Sequence, residues 1–211
     1  MSYIVDMPKK ILFPSYIYQT KLEIPRLKKF NQDLARECYQ VQSLDEAGQK
    51  WSSEHYLGGY TSYGSLCRMY EYSSTFDFLR KKINPHVKKF LNEMDYETKG
   101  KDIQMTDFWM NIMGPRTVHT MHIHPHSVIS GTYYVQIPKG AGCIKFEDPR
   151  SNYFMATLAK KANAPEKHQT FVNVQPQEGE IVLFESWMRH EVPPNASELD
   201  RISVSFNYGW F

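Results

Sequence analysis

Four of the eight histidines fall in one short run, His119-Thr-Met-His122-Ile-His124-Pro-His126. A histidine standing alone is usually a surface or hydrogen-bonded core residue, but a cluster of this density is a candidate metal-binding tract. If the run is a strand, residues two apart project to the same face. His122 and His124 then reach one point while Ile123 turns away. Two imidazoles held on one strand offer a divalent ion two adjacent ligands, and a third must come from elsewhere. The candidate is His190, in Ser186-Trp-Met-Arg-His190-Glu-Val192, on a later strand. Three ligands on one side of an ion leave positions open for substrate and oxygen. His119 and His126 are the weaker members of the cluster, and His55, His86 and His168 read as ordinary surface residues.

A second constellation follows His190 closely. In Arg201-Ile-Ser203, strand periodicity puts Arg201 and Ser203 on one face, where guanidinium and hydroxyl could together bind a carboxylate. Pro193-Pro194-Asn195 supplies the turn that returns Arg201 alongside His190. Arg-x-Ser is weak evidence alone, and its weight comes from its place after a proposed ligand.

The elements that must position these residues fall into two halves. Residues 1–102 read as an N-terminal strand and helices, and residues 103–211 as a β core, together forming one domain of 211 residues. Ile11–Leu22, β-branched and aromatic but interrupted by Pro14, is expected to be an edge strand. A helix should follow from Pro25, with Leu27, Phe30, Leu34, Cys38 and Val41 on one face and Gly48 as its latest end. Trp51–Ser65, rich in Gly, Ser and Tyr, reads as loop. A second helical pattern starts at Ser73, Ser74 or Thr75 and runs to Met94, with a break or kink expected at Pro85. Beyond Ile103, eight short apolar runs alternate with turn residues and no helix intervenes, which calls for a sandwich or barrel. Ser151–Gln169 is one long connection without strand pattern, and such loops are usually functional. With the Tyr-rich Trp51–Ser65, it is expected to wall the pocket.

Composition narrows the function classes. A net charge of +2 gives no field for nucleic acid or anionic lipid, and no apolar run approaches the length of a membrane span. Met1–Pro8 lacks the basic and apolar regions of a secretory signal. Cys38, Cys67 and Cys143 match no C-x-x-C pattern and read as reduced thiols of a cytoplasmic protein. Oligomeric state is not legible.

Several motifs recur in a known combination. His122-Ile-His124-Pro125 is followed by Ser130-Gly131-Thr-Tyr133-Tyr134, then by Gly142 with Phe146-Glu-Asp148-Pro-Arg150. Gly179-Glu-Ile-Val-Leu-Phe184, Trp187 with His190, and Arg201-Ile-Ser203-Val-Ser-Phe-Asn207 complete the set. Over roughly Trp109 to Trp210 this resembles the iron(II)/2-oxoglutarate oxygenases of an uncharacterised bacterial and phage type, distant relatives of the prolyl 4-hydroxylases. The resemblance implies a mainly β chain with N-terminal helices and a double-stranded β-helix, jelly-roll or cupin-like core. It implies His122 and His190 as catalytic Fe(II) ligands, and Arg201 with Ser203 binding the distal carboxylate of 2-oxoglutarate. Tyr133 or Tyr134 would donate a hydrogen bond to that cosubstrate. The cosubstrate's 1-carboxylate and 2-oxo group would chelate the iron. The reaction would consume O2, decarboxylate 2-oxoglutarate to succinate and hydroxylate a small-molecule or peptide substrate.

Position 124 departs from the wider superfamily, which places Asp or Glu two residues after the first histidine. Either His124 completes a three-His site, or it stands behind two ligands and water, or a carboxylate such as Asp148 or Glu185 comes from elsewhere. Two alternatives remain: a three-His dioxygenase that does not use 2-oxoglutarate, and a cupin-like metal-binding module without that chemistry. Arg201-x-Ser203 speaks against the first of these.

Overall fold

The computed structural model describes residues 10–211, so the reading of Met1–Pro8 lies outside the described residues. The first strand, β1 (Ile17–Lys21), pairs antiparallel at a sheet edge as expected, though shorter than Ile11–Leu22. Helix α1 (Leu27–Leu44) buries Leu34 and Cys38 of the expected apolar stripe, with Ala35 beside them.

The chain then departs from the sequence reading. Trp51–Ser65 is not a continuous loop: α2 (Glu46–His55) and β2 (Gly59–Thr61) occupy most of it. α1 ends at Leu44, within the limit set at Gly48, and Gly48 itself lies inside α2. Its backbone N–H donates to the side chain of Asp45, which caps α2, and any Cβ there would run into that carboxylate. Asp45 also accepts from Tyr60 Oη at 2.7 Å, which ties α2 to β2. Helix α3 (Ser74–Glu93) starts where expected, with Ser73 accepting from Thr75 and Phe76. Pro85 does not divide it. Ile83 and Val87, on either side of the proline, stay fully buried, and Asn84 accepts from Tyr208 Oη instead of recapping. Packing of an amphipathic face outweighs the one backbone hydrogen bond that proline removes.

All eight strands expected beyond Ile103 form: β3 (Ile103–Met113), β4 (His119–His122), β5 (Ile129–Gln136), β6 (Ile144–Glu147), β7 (Phe171–Val174), β8 (Glu180–Glu185), β9 (His190–Val192) and β10 (Arg201–Trp210). They build two antiparallel sheets, β1-β8-β5-β10-β3-β2 and β4-β9-β6-β7, and the architecture is a double-stranded β-helix. The N-terminal half supplies both edges of the larger sheet. No described helix is long and apolar enough to cross a membrane.

Strand alternation divides the larger sheet into a helix side and a site side. Phe108, Met110, Tyr133, Leu183, Val204 and Phe206 join the helices in the main core. From the same strands, Tyr134, Val182 and Phe184 face the smaller sheet with Ile144 and Phe146. At Gly131 the helix side has no room, since a Cβ would lie 2.6 Å from Phe206 and 2.7 Å from Leu183. Gly131→Ala should therefore overpack the core and cost about 1–3 kcal/mol. Urea unfolding should show a lower midpoint at unchanged m.

Candidate metal centre

Antiparallel pairing of β4 with β9 sets His122 opposite His190, with ring centroids 4.3 Å apart. His124 lies two residues past the end of β4, so strand alternation alone does not aim it. Its backbone N–H donates to Ser186 O at 3.0 Å, and this anchor turns its ring to 5.1 Å from both partners. One ligand atom from each of the three lies within 4.8 Å of the others. The three residues could hold a metal ion.

The hydrogen bonds fix which nitrogens face inward. His122 Nδ1–H donates to Thr120 O at 2.7 Å, His190 Nδ1–H to Met188 O at 2.9 Å, and His124 Nδ1–H to Asn207 Oδ1 at 2.6 Å. A ligating histidine is held this way, through its other ring nitrogen. Nε2 of His122 and of His124 then carry lone pairs and stand 3.2 Å apart with no proton for either to donate. Two nitrogens each about 2.1 Å from one ion and roughly 90° apart would be about 3 Å from each other. The donor set fits a metal.

Burial holds the rings neutral. It lowers His122, sends His124 down to about 4, and carries His190 well below its ordinary range, with charge repulsion from neighbouring imidazoles adding to the last two. His119, lowered to about 3 mainly by burial, stacks on His122 at 4.5 Å and meets Tyr56 at 5.4 Å. It is closer to the centre than its weak sequence standing implied. Spacing by three hides it from strand alternation, but the β4–β9 register shifts between His119 and His122. Asn207 was also missed as a site residue, although its parity with Arg201 and Ser203 along β10 was available. Neither candidate carboxylate joins the centre: Asp148 binds Arg150, and Glu185 accepts from Tyr96 Oη.

Arg201 is 2% exposed, and no carboxylate among the described residues pairs with it. Its Nη1 donates to Ser203 Oγ at 3.2 Å and lies 3.4 Å from Met113 Sδ, while Nε has no partner. The guanidinium sits 5.2 Å over the Tyr134 ring, whose buried hydroxyl is also unpartnered. Tyr56 and Thr117, packed against each other's surroundings at Gly59, bring two more unpartnered buried hydroxyls, and Tyr56 feels the Arg201 charge. A buried charge among orphaned donors is costly unless an anion joins it. These residues fit a carboxylate. Tyr133 is not brought here: it points to the helix side and donates to Asn31 Oδ1 at 2.5 Å.

A cavity of about 430 Å³ opens over the histidines, walled by Trp51, Tyr63, Trp109 and Ile123 among others. The expected wall from Trp51–Ser65 is present. Ser151–Gln169 instead borders a separate surface hollow at residues 156–168.

Residues 107–207 match the model of the family described as "Putative 2OG-Fe(II) oxygenase". Over that stretch, most of the β core, the chain is similar to this family. No curated protein matches the sequence. Among solved structures, the β core and its helices are similar to SnoN, a non-heme alpha ketoglutarate dependent epimerase from nogalamycin biosynthesis. That match has TM-score 0.63 and 12% identity, over 92% of this chain and 76% of that one. HygX from Streptomyces hygroscopicus, solved with nickel, 2-oxoglutarate and hygromycin B, matches at TM-score 0.60 and 10% identity, over 92% and 83% of the two chains. A Pseudomonas putida prolyl-4-hydroxylase matches at TM-score 0.50 and 17% identity, over 92% of each. At these identities the likeness is one of fold.

The neutral, buried imidazoles make the metal-free protein acid-sensitive. An unfolded histidine binds its proton near pH 6.5, whereas folded His124 and His119 do so only near 4 and 3. Below pH 6.5 the unfolded state therefore holds more protons, and stability present above that pH is lost as pH falls toward 4. The melting temperature of chelator-treated protein should decline steadily from pH 7 to about 4.5. A flat profile would contradict neutral burial.

Proposed function

We propose that this chain is an Fe(II)- and 2-oxoglutarate-dependent dioxygenase that hydroxylates a small-molecule or peptide substrate. The observation that carries the reading is the pairing of two unmet needs: inward-facing imidazole lone pairs, and a buried guanidinium without a carboxylate. Metal-bound 2-oxoglutarate relates to both at once. His122, His124 and His190 are assigned as the ligands of Fe(II), with His124 replacing the carboxylate of the commoner facial triad. Arg201 is assigned to the distal carboxylate of 2-oxoglutarate, assisted by Ser203 and by the hydroxyl of Tyr134.

When bound, iron and 2-oxoglutarate couple decarboxylation of the cosubstrate to insertion of an oxygen atom from O2 into a substrate C–H bond. The protein's own residues prepare that chemistry. Thr120, Met188 and Asn207 hold the three Nδ1 protons outward, so that no imidazole must shed a proton before ligating. Arg201 and its neighbouring hydroxyls orient one end of the cosubstrate and exchange water for fixed donors. Apolar walls at Trp109, Val118 and Ile123 limit water over the centre. The three free thiols suit a reducing cytoplasm, where we place the protein.

Replacing His122 or His190 with Ala should abolish stoichiometric Mn(II) binding in calorimetry, while His168→Ala should leave it intact. His124→Ala should lose the metal and His124→Asp should keep it. Metal binding as tight as the parent's in His190→Ala would show the ligand set to be misassigned.

Arg201 separates cosubstrate use from metal binding. A charge-assisted bidentate contact contributes about 1.5–3 kcal/mol. Arg201→Ala should thus weaken 2-oxoglutarate binding to Mn(II)-loaded protein by roughly ten- to a few-hundred-fold. Arg201→Lys should fall between Arg201→Ala and the parent, because Lys keeps the charge and loses the fork. Mn(II) affinity should barely move in either. Unchanged 2-oxoglutarate affinity in Arg201→Ala would remove the cosubstrate and leave a metal-binding module.

A further inference from the structure

The cavity over the histidines says something about what enters it. Its lining contains no Asp, Glu, Lys or Arg side chain. Asp107, close enough to influence Tyr63, lies outside that lining, and its Oδ2 accepts from Thr106 Oγ1 at 2.8 Å and Asn207 Nδ2 at 3.2 Å. A charged group in the cavity would leave water without a countercharge, which is unfavourable. A carboxylate or ammonium is thus selected against at the walls.

The walls are flat and only partly covered. Trp51 stacks on His55 at 4.9 Å and 13°, and Tyr63 packs on Trp109 at 4.9 Å and 60°. These are two aromatic pairs from separate segments, α2 with the β2 region and β3, and both border the same opening. Five apolar side chains on its rim remain open to solvent: Trp51 43%, Leu57 75%, Tyr63 51%, Val118 40% and Ile123 45%. Scattered exposed apolar residues need no explanation, but five around one concave mouth form a recognition surface. Exposed aromatic faces are matched best by another ring.

We propose that the substrate taken at this centre is an uncharged molecule that inserts a flat ring between the Trp51 and Tyr63 walls. This rests on the dioxygenase reading for its chemistry, but the ring site itself is independent of whether 2-oxoglutarate binds. A peptide bearing charged side chains fits less well, because the lining has no Asp, Glu, Lys or Arg to pair with them.

The test uses indole as a neutral flat probe, benzamidinium as a flat cation, benzoate as a flat anion and cyclohexanol as a neutral ring that is not flat. Each is titrated by calorimetry into the full chain loaded with Mn(II) and N-oxalylglycine, which keeps Arg201 occupied. Indole should bind at least about tenfold more tightly than the other three. Its ring protons should relax faster in the Mn(II) sample than in a Zn(II) sample, which locates the ring beside the metal. Trp51→Ala and Tyr63→Ala should each weaken indole binding by about three- to tenfold, and Trp51→Phe should restore most of the loss. Trp51 and Tyr63 are both well exposed, and parallel melting curves show that the variants fold.

Benzamidinium binding as tightly as indole, indole binding indifferent to Trp51→Ala, or no indole binding in the folded parent would each overturn the proposal. The two readings fail separately. If the dioxygenase reading is wrong, 2-oxoglutarate titration into Mn(II)-loaded protein is silent while indole still binds the protein. If the ring site is wrong, 2-oxoglutarate binds and indole does not.

Discussion

Everything at this centre depends on three neutral imidazoles turned toward one point, with their protons turned away. Neutral imidazole has one donor nitrogen and one acceptor nitrogen, so committing Nδ1–H to Thr120, Met188 and Asn207 commits the inward nitrogens to lone pairs. Converging lone pairs do not attract one another. They are kept together by elements far stiffer than the side chains: the β4–β9 register for His122 and His190, and the Ser186 anchor for His124. The fold holds the arrangement against its own electrostatics, and a cation would relieve it.

The second unrelieved group is the Arg201 guanidinium. Both tensions trace to a few strands. β10 delivers Arg201, Ser203, Ser205 and Asn207 on one face, and β3 lies alongside it with Met113, Asn111, Trp109 and Asp107 in register. One β10 face therefore carries the unpaired guanidinium at one end and the support for His124 at the other. The opposite face, with Ile202, Val204, Phe206 and Tyr208, is packed into the helix-side core. A slip of β10 by one residue would bury the arginine among helices and turn Phe206 into the cavity, so core packing enforces site geometry.

Sequence reasoning reached the strands because period-two alternation and turn residues mark them strongly. Parity and sequence separation pointed to His122, His124 and His190, which the fold gathers, although the Ser186 anchor and not strand alternation turns His124; Arg201 and Ser203 share a face of β10 as their spacing implied. Where sequence reasoning failed, a non-local contact had overridden a local signal. Gly48 bounded α1 correctly, but the sequence did not show that a second helix runs through it, where it admits the Asp45 carboxylate, a partner also of Tyr60 and Ser65. Tyr133 and Tyr134 could not be told apart without knowing which face of β5 looks at the helices. His119 was discounted by strand parity, and the irregular register of β4 returned it to the cluster. The Trp51–Ser65 segment kept its place at the pocket even though a third of it is helix, because Trp51, Tyr56 and Tyr63 still line the opening.

The orientation of His124 shows how far the constraint extends. Asp107 Oδ2 is a carboxylate oxygen and only accepts, so the Asn207 group 3.2 Å away must be the amide Nδ2–H. The other end of that amide is then Oδ1, which accepts from Ser130 Oγ at 2.8 Å and from His124 at 2.6 Å. An acceptor there requires His124 to carry its proton on Nδ1, which leaves Nε2 as the inward lone pair. A carboxylate two residues removed from the centre thus sets the amide, the amide sets the tautomer, and the tautomer sets which nitrogen faces the neighbouring imidazoles. Asp107 thus stands behind His124, connected to it by a side chain that can be read in only one direction, and its negative charge stays within reach of the imidazole.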